Sequence, residues 1–132
     1  MNCVLDTHTL IWAIKEREKL SPLVVQTIEN ADNTIFVSSI TFWEISMKFS
    51  IGKLELINIL PDQFPEASLN VGFELISLSP SETASHYKLL LTAHKDPFDR
   101  MLIWQAIQRN LVFISKDDRL GQYKVAGLKT LW

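Results

Sequence analysis

The sequence holds a single cysteine, Cys3, so no internal disulfide can form, and only 4 glycines. Glycine loops that cradle phosphate in the forms GxxxxGKS/T and GxGxxG are absent, as is the GxSxG of serine hydrolases. His8, His86 and His94 make no HxxxH or HxH pair, which removes the usual zinc spacing; isolated histidines of this kind read as core or surface residues. No apolar run approaches the roughly 18 residues that span a bilayer. The first one stops at Asp6, unlike a signal peptide. These absences set the expectation of a protein of the reducing cytoplasm with no membrane association. Positive charge is scarce too: 13 Lys and Arg against 15 Asp and Glu give a net charge of −2. A nucleic-acid binder normally presents a basic face, so action on RNA would require cations bound by the protein's own acids.

What is present reads as one domain over residues 1–132, with 47% hydrophobic residues and no repeat or linker. Strands are predicted at Cys3–Leu5, Thr34–Ser38, Phe73–Leu78, Leu111–Ser115 and Lys129–Leu131. Helices are predicted from Thr9 to Lys15, from Pro22 to about Asn30 behind a Ser21 cap, and from Thr41 to Ser50 with Gly52 as terminator. A short helix is placed between Leu60 and Val71. Ser79-Pro80-Ser81-Glu82 opens another that extends to about Thr92, and Asp96-Pro97 opens the last, to Arg109. Strands alternating with helices, with almost no hairpin signals, imply an α/β fold: a three-layer α/β/α sandwich around a central parallel sheet.

Open parallel sheets bind ligands at the carboxyl ends of their strands, and acids fall there. Asp6 ends the first strand, Glu44 lies in the helix after the second, and Asp117 and Asp118 follow Leu111–Ser115. Asp99 shares a helical face with Leu102, Ile103, Ala106 and Ile107, and a carboxylate on a core-facing side is costly unless a cation or donors satisfy it. Each acid also has a local structural reading. Asp6 and Asp96 suit helix N-caps, and Asp99 suits a first-turn acid facing the dipole. Glu44 completes a Thr41-x-x-Glu44 capping box beside an apolar arc of Phe42, Trp43, Ile45, Met47 and Phe49; Asp117 and Asp118 suit a turn.

Carboxylates without Cys or His select hard cations, Mg²⁺ or Mn²⁺. Such ions suit phosphodiester hydrolysis and reconcile an acidic protein with a polyanionic substrate. Lys48, Arg100 and Lys116 neighbour the acids in sequence and are candidates for phosphate contact. Trp12, Trp43, Trp104 and Trp132 read as core side chains before base-stacking ones.

LDTHTLIW (5–12), VSSITFWEISMKFSIGKL (37–54), HKDPFDRMLIWQA (94–106) and ISKDDRLGQY (114–123) resemble the four signature blocks of PIN domains. More narrowly they are similar to the VapC-like toxin branch, in order and spacing over nearly the whole chain. The resemblance implies a PIN-like fold and an Mg²⁺- or Mn²⁺-dependent endoribonuclease. It assigns Asp6, Glu44, Asp99 and Asp117 as catalytic and metal-binding acids, with Asp118 as the alternative to Asp117. Asp96, Thr7, Ser39 and Ser115 fall at supporting positions. It also implies an RNA substrate, a small cognate antitoxin and a homodimer. Two other readings stand beside it: a housekeeping PIN nuclease of RNA processing without an antitoxin, and a noncatalytic metal-binding scaffold.

Overall fold

Each apolar run bounded by turn signals becomes a strand in the computed structural model, which describes residues 1–90 and 93–132. The strands are β1 (Asn2–Leu5), β2 (Thr34–Ser38), β3 (Glu74–Ile76), β4 (Val112–Ile114) and β5 (Lys129–Leu131). All pair in parallel, in the order β3-β2-β1-β4-β5. The order reverses direction at β1 and β4, which opens a crevice at their carboxyl ends. That crevice positions the site.

Six α-helices are described: α1 (Thr7–Lys15), α2 (Pro22–Glu29), α3 (Ser39–Ser50), α4 (Phe64–Asn70), α5 (Pro80–Ser85) and α6 (Pro97–Gln108). Side chains alternate across the sheet. Val4 and Phe113 join Leu102, Ile103 and Ala106 of α6 in one buried cluster. Cys3, Leu5, Ile35, Val37 and Ile114 join Leu10 and Ala13 of α1, Val24 of α2 and Phe64 of α4 in the other. The expected three layers result, each fully buried aliphatic or aromatic side chain contributing about 1.5–3 kcal/mol of transfer free energy. Among the described residues no helix is long and apolar enough to cross a membrane.

Several boundaries differ from expectation. α3 begins at Ser39 with the Ser38 hydroxyl as its cap, so Thr41-x-x-Glu44 is not a capping box. Starting earlier, the helix buries Ile40, Thr41, Glu44 and Ile45, while Trp43 is 57% exposed. The helix from Pro80 stops at Ser85 and gives way to a 3-10 turn over His86–Lys88. Leu89 then turns inward to the first cluster, and burying it ends the helical course; the expected end at Thr92 lies outside the described residues. β3 is shorter than Phe73–Leu78 because the Ser77 carbonyl accepts from the Gln105 and Arg109 side chains instead of a ladder. A 3-10 helix over Asp118–Ala126, closed by Gly127 at φ +100°, follows β4 without having been foreseen.

Candidate active site

Asp6 leaves β1 and caps α1, accepting the Thr9 N–H at 2.8 Å through Oδ1, while Oδ2 accepts from the Ser115 hydroxyl. Its backbone N–H donates to the Ile114 carbonyl at 3.1 Å, tying the ends of β1 and β4 together. Cap and site are therefore the same residue. Burial pushes the Asp6 carboxyl up, against the lowering effect of its Ser115 and Thr9 hydrogen bonds.

Glu44 projects from α3 and is only 2% exposed. The Thr7 hydroxyl donates to its Oε1 at 2.5 Å, and the Lys48 ammonium one turn on contacts Oε2. Lys48 also lies 3.3 Å from Asp96 Oδ2. Asp96 caps α6, its Oδ1 accepting the N–H groups of Phe98 at 2.8 Å and Asp99 at 3.2 Å. Burial opposes ionisation of Asp96, but these N–H bonds and Lys48 outweigh it and hold the carboxyl below its ordinary range.

Asp99, half-buried in the first turn of α6, differs from its neighbours. Among the described residues no donor reaches its carboxylate. Burial, then Asp96 and Glu44, push it up to about 6. Carboxylate oxygens of Glu44, Asp96 and Asp99 lie within 4.8 Å of one another.

Asp117 follows β4 and caps the 3-10 helix. His94 Nε2 meets its Oδ2 at 2.6 Å, and the Arg119 guanidinium reaches Oδ1 at 3.1 Å and Oδ2 at 3.0 Å. Partial burial opposes ionisation, but Arg119 and His94 prevail and hold the carboxyl well below the usual range.

Asp6, Glu44, Asp99 and Asp117 all line one cleft of about 460 Å³, with His8, Trp12, Lys48, Lys116, Asp118 and Arg119 around them. Asp6 and Asp117 are not part of the close Glu44–Asp96–Asp99 group. Asp118 is exposed at the rim, whereas Asp117 is held inside. Lys116 is exposed, its ammonium 5.8 Å from the Trp12 ring centre.

Three expectations are redirected. Ser39 is exposed and accepts the Leu78 N–H at 3.2 Å, away from the acids; the buried hydroxyl beside Thr7 is that of Thr41, at 3.4 Å. Arg100 does not line the cleft: its guanidinium donates to the carbonyls of Leu89 at 2.5 Å and His94 at 3.3 Å. Trp43 is exposed rather than core, its ring edge-on to Phe98 at 5.1 Å, whereas Trp104 is 7% exposed. His94, 2% exposed, is a buried residue as read, yet its ring supports an acid of the cleft. The signal for that role was its place two residues before Asp96 in the HKDPFDR block.

The profile of the PIN domain matches residues 3–128, and the chain belongs to the PIN-domain family. Within that family its sequence is similar to that of a VapC ribonuclease. It is 26% identical to ribonuclease VapC22 of Mycobacterium tuberculosis (strain ATCC 25618 / H37Rv) over 129 residues, 98% of this chain and 97% of that one. The crystal structure of VapBC-1 from nontypeable Haemophilus influenzae superposes with a TM-score of 0.67 at 18% identity, covering 99% of this chain and 97% of that one. That of VapBC2 from Rickettsia felis bound to a DNA fragment from their promoter gives 0.63 at 19% identity, covering 99% and 98%. At such identities the likeness is one of fold.

Proposed function

We propose that this PIN domain is a VapC-type endoribonuclease, the toxin of a toxin–antitoxin pair, and that its activity depends on Mg²⁺ or Mn²⁺ held by Asp6, Glu44, Asp99 and Asp117. The observation that carries the reading is Asp99: a half-buried carboxylate that no donor reaches among the described residues, beside Asp96 and Glu44 and facing the same cleft as Asp6 and Asp117. Such a group is a poor structural element and a good cation ligand. The residues fit a hard divalent ion, since the donors are carboxylate oxygens and the nearby His94 ring has both nitrogens engaged.

A divalent ion held by these acids would supply charge to neutralise a scissile phosphate and to acidify water. The chain's own groups do the rest. Glu44, clamped between the Thr7 hydroxyl and Lys48, orients the attacking water. Ser115 steadies Asp6, and His94 with Arg119 steadies Asp117. Exposed Lys116 meets the RNA backbone at the rim. Hydrolysis by water leaves a 5′-phosphate and a 3′-hydroxyl.

The reading of a partner is supported by the solved neighbours of the fold, which include VapBC structures. A small antitoxin encoded beside this chain silences it in the cytoplasm, and the toxin itself pairs into a homodimer, which light scattering of the purified protein checks. The decisive assay uses purified chain and a single-stranded RNA. Cleavage with Mg²⁺, its loss in EDTA, and its loss in Asp99→Asn are the expected results. Cleavage by Asp99→Asn at the wild-type rate overturns the reading.

A further inference from the structure

Charge around the cleft is balanced unevenly. One ammonium, Lys48 Nζ, serves two carboxylates, contacting Glu44 Oε2 and lying 3.3 Å from Asp96 Oδ2. The other oxygens of that pair are also taken, Glu44 Oε1 by the Thr7 hydroxyl and Asp96 Oδ1 by two backbone N–H groups. Across the cleft, Arg119 pairs with both oxygens of Asp117. Among the described residues Asp6 receives hydrogen bonds only from uncharged donors, the Thr9 N–H and the Ser115 hydroxyl. Among the described residues Asp99 receives none. Asp6 and Asp99 both line the inner end of the cleft.

We infer that Lys48 is a built-in counter-ion that fills the place a second metal would take, so that the site binds a single divalent cation, shared by Asp6 and Asp99. This rests on the metal-dependent reading above and narrows the ligands given there, Asp6, Glu44, Asp99 and Asp117, to Asp6 and Asp99. Asp6 and Asp99 are the two of these carboxylates that no ammonium or guanidinium contacts among the described residues, and together their negative charges match the charge of one such ion. A second ion at Glu44 and Asp96 would have to displace an ammonium already in contact with both, or sit beside it, where like charges in a partly buried site repel strongly. Lys48 is then a positioning residue, not a phosphate contact. Being a lysine rather than a metal ligand, it keeps Glu44 and Asp96 fixed whether or not the cation is bound.

The test counts ions on the purified full chain. Mn²⁺ is titrated at neutral pH and free Mn²⁺ is followed by electron paramagnetic resonance, for wild type, Lys48→Arg and Lys48→Met. One Mn²⁺ per chain is expected for wild type and Lys48→Arg, and two for Lys48→Met at saturation. Two on the wild type, or one on folded Lys48→Met with unchanged affinity, overturns the inference. Should circular dichroism show Lys48→Met unfolded, the wild-type and Lys48→Arg counts decide: one supports the inference and two overturns it. RNA cleavage on the same samples separates the two readings. Wild type that cuts RNA with two ions bound sinks the Lys48 assignment alone. One bound ion without cleavage sinks the ribonuclease and leaves Lys48 standing. No bound Mn²⁺ sinks both.

Discussion

His94 reaches Asp117 Oδ2 through Nε2 at 2.6 Å and the Tyr123 hydroxyl through Nδ1 at 3.0 Å. Tyr123 also accepts the His94 backbone N–H at 3.3 Å, which leaves its own O–H to donate to Nδ1 and puts a ring proton on Nε2, facing the carboxylate. Groups that orient a metal-site acid in this way typically cost 10–100-fold in activity when removed. His94→Ala is expected to lower the RNA cleavage rate by about that factor, with Arg119 still holding Asp117. Tyr123→Phe keeps the Nε2 contact, so its effect falls on stability, about 1–3 kcal/mol for the broken buried hydrogen bonds. Single-turnover cleavage and urea unfolding of both variants separate the two roles.

The pH dependence of the metal-free chain reports on Asp99. With its carboxyl pushed up to about 6 by burial and then by Asp96 and Glu44, the folded chain keeps a proton that the unfolded chain releases near pH 4. The group's contribution to stability is therefore full below about pH 4 and is lost as pH rises through about 6. In EDTA at neutral pH, Asp99→Asn is expected to be more stable than wild type by about 1–2 kcal/mol, allowing for partial exposure. Adding Mn²⁺ reverses the order, because only the wild type gains from binding. Denaturant unfolding on either side of pH 6, with and without Mn²⁺, checks both signs.

Glu82 behaves in the opposite sense, far from the cleft. Burial pushes its carboxyl up, but hydrogen bonds from Arg109 at 2.8 and 2.7 Å and from the Ser79 N–H at 2.8 Å outweigh this and hold it below its ordinary value. Its stabilising effect is present at neutral pH and is lost as pH falls through the lowered folded value. Glu82→Gln is expected to cost about 1–3 kcal/mol at neutral pH. Thermal unfolding in acid should show the two proteins converging.

Arg100 and Lys116 are both basic neighbours of the acids, and the structure gives them different work. Lys116 stands in the open at the cleft, whereas Arg100 bonds the carbonyls of Leu89 and His94. Lys116→Ala is expected to reduce the salt dependence of RNA binding by about one counterion. Arg100→Ala is expected to leave that slope unchanged and to lower the unfolding midpoint. Binding of a noncleavable oligonucleotide across a salt series distinguishes them.

Much of this was readable where the signal is local. Ser21-Pro22, Ser79-Pro80 and Asp96-Pro97 begin helices because cap and proline act within one turn. Asp6 was legible from its place at a strand end, and Asp99 from its phase on an apolar helix face. For Glu44 only the capping-box reading failed, since the helix starts before Thr41 and the burial of Glu44 depends on Thr7, 37 residues earlier. Hydrophobicity alone ranked Trp43 with the core, although the buried side of α3 carries Thr41 and Glu44. The support His94 gives Asp117 was hidden because its partners, Asp117 and Tyr123, come 23 and 29 residues later.

The pairing of β1 with β4 also has a consequence for synthesis. A nascent chain that has presented Asp6, Glu44 and Asp99 still lacks the strand that docks beside β1 and the Ser115 hydroxyl that braces Asp6. Until β4 has emerged from the ribosome and found its neighbour, the cleft has no second wall. Translation thus leaves an interval in which Asp6, Glu44 and Asp99 have all been made and the pocket they line has not yet been assembled.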